Sequence, residues 1–436
     1  MNSTLWNKNF ILVLIGQIIS LFGNAILRFA LPLYLLNETG SAALFGVVSA
    51  SAFLPMLLLT PIGGIIADRV NKRNIMVILD FFTAFLVLAF GFSLHRMNLV
   101  LLISIALILL YAIQGIYQPT VQASIPFLVP QQSIMQANAM VNLVNSVSSL
   151  IGPVIGGTLF AGFGITPILS VSAGCFFFSA VMEIFIRIPF EKKESSCGII
   201  KTGYSDLRSS LRFILKEKPE ILKISLIIAG INLFLTSCAM IGIPSVIMMH
   251  MGFAAENANR FYGYTQGFMG AGSLLGGILA GALAAKVKAH NSPLTFFLCG
   301  ATLLPMAAAL SLPVSHNMSC ILILAGSFLM MTFAAFLSIQ FMSYLQLLTP
   351  SDIVGKVISC AMCIGMCATP VGQAVYGVLF EKFASAPELL FLSSFAIVAV
   401  ISLLSVRTFA SLEVTLAPKQ EPPSNTTLAF DKKEIV

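Results

Sequence analysis

Charge is what this sequence has least of. Asp, Glu, Lys and Arg make up 9% of its 436 residues, while hydrophobic residues make up 58%. A typical soluble domain carries about 25% charged residues, so a soluble globule is excluded. Acid is scarcest inside the long apolar runs: Asp80 and Glu183 are the two in the first half, and the runs between 221 and 380 carry none. Histidine is also rare, with four in the chain. No constellation of His, Ser and carboxylate forms, which argues against an enzyme. No glycine-rich nucleotide loop is present, so any work done on a solute must draw on a gradient. Eight cysteines in a chain this long do not make a disulfide framework. Cys360, Cys363 and Cys367 recur at i, i+3, i+7, but no His or carboxylate lies beside them. They read as apolar packing, and neither a metal nor a cofactor is expected. Met1 to Lys8 is short and polar, and the apolar stretch that follows is far longer than a leader segment, so no separate secretory signal is expected.

What is present is a series of long apolar runs, at roughly 10–36, 42–67, 75–95, 98–127, 134–161, 165–188, 221–250, 261–285, 293–313, 319–348, 353–380 and 388–406. A helix needs about 20 apolar residues to cross a bilayer core. Their length and lack of strand-like alternation exclude a barrel. The expected fold is an all-α membrane protein of twelve transmembrane helices, with both termini on one side. With a cytoplasmic N-terminus, the outer connections and adjoining helix ends hold Arg28, Arg96, Arg260 and Lys382, and the other 20 of 24 Lys and Arg are cytoplasmic. That asymmetry orients the chain. It also explains the net charge of +7 without nucleic acid, because the bases lie in loops at one membrane face.

Gly63-Gly64-Ile65-Ile66-Ala67-Asp68-Arg69-Val70-Asn71-Lys72-Arg73 forms the turn between the second and third runs. The glycines let helices approach closely. Asp68 and Arg69 serve either as an inter-helix clasp or as markers of topology. The two halves of the chain look related. Gly63-Gly64-Ile65-Ile66-Ala67 matches Gly276-Gly277-Ile278-Leu279-Ala280, Val129-Pro130 matches Thr349-Pro350, and Pro153 matches Pro370, at offsets of 213, 220 and 217. Two six-helix repeats around a midplane site is a transporter architecture. The expected organisation is a bundle over 1–190, a cytoplasmic linker over 191–220, a second bundle over 221–407 and a disordered tail over 408–436. In the linker, Leu207, Leu211 and Ile214 alternate with Arg208, Arg212 and Lys216, the pattern of a basic amphipathic helix on an anionic leaflet or of a plain tether.

These residues resemble the major facilitator superfamily. Its loop signature, Gly-x-x-x-Asp-Arg-x-Gly-Arg-Arg, reads here as Gly64, Asp68, Arg69, Asn71, Lys72 and Arg73, with Asn71 in place of Gly. Asn tolerates a left-handed turn, which accommodates the exchange. Gly152-Pro153-Val154-Ile155-Gly156-Gly157 looks like the motif of the antiporter branch. The opening stretch, Gly16-Gln17-Ile18-Ile19-Ser20-Leu21-Phe22 through Thr39-Gly40-Ser41-Ala42, is similar to bacterial macrolide-efflux-type drug:proton antiporters of this superfamily.

The resemblance implies two bundles rocking about a cavity lined mainly by helices one, four, seven and ten. It implies a conformational switch at Gly64, Asp68, Arg69, Lys72 and Arg73, with Asp80 joined to the same network, and a tightened fifth helix at Gly152, Pro153, Gly156 and Gly157. It also implies a monomer in a bacterial cytoplasmic membrane that exports a small amphipathic drug-like or metabolite solute against protons. An importer, or a non-transporting sensor or scaffold, are the alternatives.

Polar residues inside the membrane are costly and default to functional hypotheses. Gln17, Ser20, Asn24 and Arg28 form one stripe on the first helix; Arg28 either snorkels to the outer interface or serves as a cavity cation. Gln114 and Gln118 stripe the fourth helix, Asn138, Asn142 and Asn145 the fifth, and Asn232 and Thr236 the seventh. Gln340, Tyr344 and Gln373 add polarity to the tenth and eleventh. The expected cavity set is Gln17, Asn24, Arg28, Gln114, Gln118, Asn142, Asn232, Gln340 and Tyr344. Glu183 stands four residues before Arg187, the spacing of a helical ion pair at the inner boundary; with Asp80 it is also a candidate carrier for the protons that the resemblance implies. Tyr111 occupies a position where the family often carries an Arg, a departure that bears on proton relay.

Overall fold

A computed structural model describes residues 6–94, 96–130, 133–188, 211–283, 289–350 and 354–416. Its helices are α1 (Lys8–Thr39), α2 (Ala42–Arg69), α3 (Lys72–Ser93), α4 (Leu99–Leu128), α5 (Ile134–Phe163), α6 (Ile165–Ile184), α7 (Pro219–Met249), α8 (Ala255–Leu283), α9 (Ser292–Ser311), α10 (His316–Leu348), α11 (Val354–Met366 and Ala368–Lys382, joined at Cys367) and α12 (Glu388–Leu416). All but α8 are apolar and long enough to cross a membrane by length and composition. The first turns of α8 carry Glu256, Asn259 and Arg260, and glycines dilute the rest.

Local sequence sets the helix ends. Asn7 caps α1 through its side-chain oxygen and donates to the Leu128 carbonyl at 2.7 Å, tying the start of α1 to the end of α4. Gly40 ends α1 at φ 60°, a left-handed conformation natural to glycine, and Ser41 then caps α2. Asn71 departs from expectation. Its φ is −59°, and its side chain accepts from the Arg73 backbone at 3.1 Å, so it caps α3 rather than making a left-handed turn. α9 breaks at Thr302 because Pro305 has no N–H to continue the ladder. Within α7, Asn232–Thr236 widens into a π turn.

The helices pack as two copies of one arrangement. In the first half α1 meets α5 and α6, α3 meets α4 and α6, and α2 meets α4. Adding six to each number gives pairs that also form: α7 with α11 and α12, α9 with α10 and α12, and α8 with α10. Two crossings join the halves, α5 against α8 and α2 against α11, and these exchange under the same rule. The repeated glycines occupy equivalent places. Gly63 abuts the Gly115 carbonyl of α4, Gly276 abuts the Thr332 carbonyl of α10, and Gly64 and Gly277 both face open space. Small residues let helices pack by close van der Waals contact where the surrounding solvent supplies no hydrophobic drive.

Of the expected 191–220 linker, residues 211–220 are described: Phe213 and Ile214 are buried, Leu215 and Lys216 are exposed, and Pro219 and Glu220 already open α7. Residues 408–416, expected in the disordered tail, instead continue α12 as helix, with Phe409 and Leu412 buried. Leu207 and Arg208, the rest of the linker before 211, and 417–436 lie outside the described residues.

Candidate functional site: a central cavity with one cation

A cavity of about 460 Å³ lies between the halves, lined by α1, α2, α4 and α5 from the first and α7, α8 and α11 from the second. Its wall is mostly apolar and aromatic, with Phe29, Phe45, Phe53 and Met269 among the larger side chains. Arg28 is the charged side chain among the described lining residues, and none of them is acidic. The Arg28 guanidinium carbon lies 3.9 Å from the Tyr111 ring centroid, a cation–π contact. One guanidinium nitrogen donates to Gln114 Oε1 at 3.4 Å, and Asn24 donates to the same oxygen at 2.5 Å. Across the cavity, Gln266 donates to the Tyr262 hydroxyl at 2.8 Å, and Tyr262 stacks on Phe29 with centroids 5.1 Å apart.

Beneath the cavity, inside the first half, lies a second polar group. Tyr117 donates to Glu183 Oε1 at 2.7 Å and accepts from Gln17 at 2.7 Å. Asp80 Oδ2 is 3.5 Å from the same hydroxyl, and Ser20 donates to Asp80 Oδ1 at 3.1 Å. All five side chains are buried. The expected Glu183–Arg187 pair does not form. α6 ends at Ile184, so Arg187 leaves the helix and its backbone binds Asn9, while Glu183 turns inward to Tyr117. Asp80 keeps company with Ser20 and Tyr117.

The halves close on each other at the end marked by Gly40. Gly157 and Gly263 bring α5 and α8 together, so a Cβ on Gly157 would stand 2.9 Å from Gly263 Cα. Gly46 and Gly377 do the same for α2 and α11, with a Gly46 Cβ 2.5 Å from the Gln373 carbonyl. Hydrogen bonds seal this end: Asn37 donates to Asn259 at 2.8 Å, and Glu381 accepts from the Ser41 hydroxyl at 2.5 Å and the Ala43 amide at 3.1 Å.

The structure therefore sorts the expected cavity residues. Asn24, Arg28 and Gln114 line the cavity, and Gln17 sits in the buried group below it. Gln118 borders a small void between the two. Asn232 donates to the Gly365 carbonyl at 2.9 Å and binds α7 to α11. Gln340 and Tyr344 meet Ser292 between α9 and α10, so the tenth helix contributes nothing to the described lining. The face of α10 near the cavity is taken up by α8, where Gly272 and Gly276 press on Phe328 and Thr332.

Gly152 and Gly156 face Ala25 and Phe29 of α1, and Pro153 lines the cavity while its carbonyl meets Gly263. Lys72 lies over the Phe127 ring at 4.5 Å, and the Arg73 Nε is buried without a partner. The side chains of Asp68, Arg69 and Asn142 lie outside the described residues.

The cavity residues missed as such are Tyr111, Tyr262, Gln266 and the Phe45, Ser49, Phe53 row. Spacing could have found some of them. Tyr111 is three residues before Gln114, and Phe45, Ser49 and Phe53 follow i, i+4, i+8.

The profile of the Major Facilitator Superfamily matches residues 13–372. The chain belongs to this superfamily. It is a multi-pass membrane transporter of the superfamily, not an enzyme. An MFS-type transporter of Bacillus subtilis, YfiS, is 27% identical over 332 residues, 75% of this chain and 76% of that one. Macrolide efflux protein A of Streptococcus pyogenes is 25% identical over 189 residues, 42% of this chain and 46% of that one. Among solved structures, a bacterial homologue of the iron transporter ferroportin, inward-facing, superposes with a TM-score of 0.71 at 17% identity, over 94% of this chain and 99% of that one. A bacterial homologue of the lysosomal transporter Spinster, inward-facing and unoccupied, gives 0.69 at 15%, over 97% and 100%. These two likenesses speak to the fold.

Proposed function

We propose that this transporter is a monomeric secondary exporter of the bacterial cytoplasmic membrane. Its solute is an amphipathic drug-like or metabolite molecule carrying an anionic or strongly hydrogen-bond-accepting group, and protons drive it. The observation that carries the reading is the cavity itself: an aromatic and apolar chamber built by both halves, with Arg28 as a cation unmatched by any acid in the described lining. A charge held inside a membrane protein without a counter-ion marks a ligand path. Apolar walls with a few placed polar groups are the usual make-up of a small-molecule site.

Both termini are cytoplasmic in this reading, because 20 of 24 Lys and Arg then lie inside. The Gly40 end is then outer, and the closure there is that of an inward-facing state ready to take solute from the cytoplasm. Asp68 and Arg69 hold one conformation at the inner turn, and the two bundles, α1–α6 and α7–α12, are the moving parts. The export direction is supported by the names of two relatives, the macrolide efflux protein and a multidrug efflux pump, Tap, of Mycolicibacterium fortuitum.

The test is accumulation of a panel of labelled amphipathic acids, bases and neutral compounds in drug-sensitive bacteria expressing the protein, with Asp68→Asn as control. Lower accumulation of acids that returns to baseline with the control and with a protonophore supports the proposal. Higher accumulation makes the protein an importer. An unchanged panel, with the protein confirmed in the membrane, removes the transport of amphipathic solutes.

A further inference from the structure

We infer that Asp80 and Glu183, joined through the Tyr117 hydroxyl, form the proton-carrying site of this transporter, and that it communicates with the substrate cavity through a one-water void bounded by Asn24, Gln114 and Gln118. The inference rests on the proton-driven reading above and names where the proton sits.

The geometry begins with a donor shortage. Tyr117 has one hydroxyl hydrogen and two carboxylates in front of it, Glu183 Oε1 at 2.7 Å and Asp80 Oδ2 at 3.5 Å. Gln17 donates to the hydroxyl oxygen, which leaves the hydrogen to Glu183. Asp80 is left with Ser20 on its other oxygen and with Ser179 close by, whose hydroxyl donates to the Gly16 carbonyl at 3.0 Å. Glu183 Oε2 and Gln17 Oε1 are buried with no partner. Glu183 is 0% exposed and Asp80 2%.

Among the described residues, no cation forms an ion pair with either acid. The four surrounding helices offer Gln17 and Ser20 from α1, Asp80 from α3, Tyr117 from α4, and Ser179 and Glu183 from α6. Of the cations on the same helices, Arg28 lies over Tyr111 and Lys72 over Phe127. Two carboxylates that share one hydroxyl, away from water and without a counter-ion, repel when both are ionised, and a proton resolves the repulsion. A proton on the pair also supplies the hydrogen that the cluster lacks.

The connection to the cavity is equally specific. A void of about 10 Å³ lies between Ser20, Asn24, Asp80, Gln114, Tyr117 and Gln118. That is about the volume one water requires. Two buried atoms at its edge have no protein partner, Asn24 Oδ1 as acceptor and Gln118 Nε2 as donor. A water there satisfies both and reaches Asp80. On its far side, Asn24 and Arg28 compete for the single Gln114 oxygen. A solute that draws Arg28 away from Gln114 therefore changes the hydrogen bonding of the side chains that border the proton's path. The proton leaves the pair as one passed to this water while the water gives up another towards the cavity, so no further reactant is needed.

The experiment uses the full-length protein in lipid nanodiscs and needs no solute. Infrared difference spectra are recorded across a pH titration for wild type, Asp80→Asn, Glu183→Gln, the double variant and Tyr117→Phe. The expected result is one carboxylic-acid carbonyl band per protein at neutral pH, absent from the double variant and shifted in frequency in Tyr117→Phe. A role in packing alone would not move that frequency. Folding is checked for each variant by thermal unfolding, and the single variants supply the readout if the double variant does not fold. Absence of the band from wild type, or its persistence in every variant, would overturn the inference. In wild type, protonophore-sensitive efflux without the band leaves the export reading standing and refutes this site; the band without efflux of any panel compound does the reverse.

Discussion

Replacing Arg28 with Gln separates a solute-binding cation from a structural one. Of the five N–H donors on the guanidinium, the structure engages one with a protein acceptor, Gln114 Oε1 at a long 3.4 Å. The remaining donors are aimed by the stack on Tyr111. An anionic group entering the cavity would gain at least one charge-assisted hydrogen bond, worth about 1.5–3 kcal/mol. At about 1.4 kcal/mol per tenfold change, Arg28→Gln should weaken binding of such a solute roughly 10- to 150-fold. The corresponding methyl ester, which has no charge to lose, should weaken by much less. Arg28→Lys keeps the charge but loses the planar stack and the fork, so it should fall between wild type and Gln. The assay is calorimetric titration of purified protein with a carboxylate-bearing amphipath and its ester, with thermal unfolding to show that each variant is folded. An unchanged acid-to-ester ratio in Arg28→Gln would refute the reasoning and return Arg28 to a packing role.

Gly46→Val should open the end near Gly40, because its Cβ already meets the Gln373 carbonyl and Gly377. Overpacking costs of about 1–3 kcal/mol shift a two-state balance roughly 5- to 150-fold. In a cysteine-free background, faster alkylation of Ser49→Cys by an impermeant reagent added outside the cell would report it. Tyr262→Ala removes a stack on Phe29 between the halves, worth about 0.5–1.5 kcal/mol beyond its burial, and should raise the same alkylation rate by a smaller factor. Asn232→Ala loses the bond from α7 to Gly365 inside one half. It should lower thermal stability by the roughly 0.6–1.7 kcal/mol typical of such bonds while leaving outside accessibility unchanged.

Much of this was legible in the sequence, for physical reasons. A bilayer requires every span to be a long apolar run, so the helices announce themselves. The paired glycines announced the repeat, because close helix contacts tolerate little else at Gly63 and Gly276. Depth along a helix was not legible. Gln17, Ser20, Asn24 and Arg28 form one stripe by spacing, yet Gln17 and Ser20 end in the buried group, Asn24 at the border and Arg28 in the cavity. Gln114 and Gln118 divide in the same way on α4. A period assigns residues to a face, but the tilt of the neighbouring helices decides what that face meets at each level. Glu183 and Arg187 failed to pair for a related reason: the spacing presumes a helix that continues, and α6 stops at Ile184.

The two crossings between the halves carry a last consequence. Applying the repeat offsets, Gly46 of α2 corresponds to Asn259 of α8, one helical turn from Gly263, and Gly157 of α5 corresponds to Ala374 of α11, about one turn from Gly377. The same helix register is thus kept at both crossings, with the glycine contact between α2 and α11 about one turn nearer the Gly40 end than the one between α5 and α8. At one crossing Asn37 meets Asn259 and at the other Ser41 meets Glu381, so each glycine contact has its own polar latch. Glycine contacts between helices are short-ranged, and a small separation forfeits most of their attraction. The Ser41–Glu381 latch is exposed at the rim, where water can replace it at little cost, while the Asn37–Asn259 latch is partly buried. An interface of this kind is firm when closed and inexpensive to part, which is what alternation between two openings demands of it.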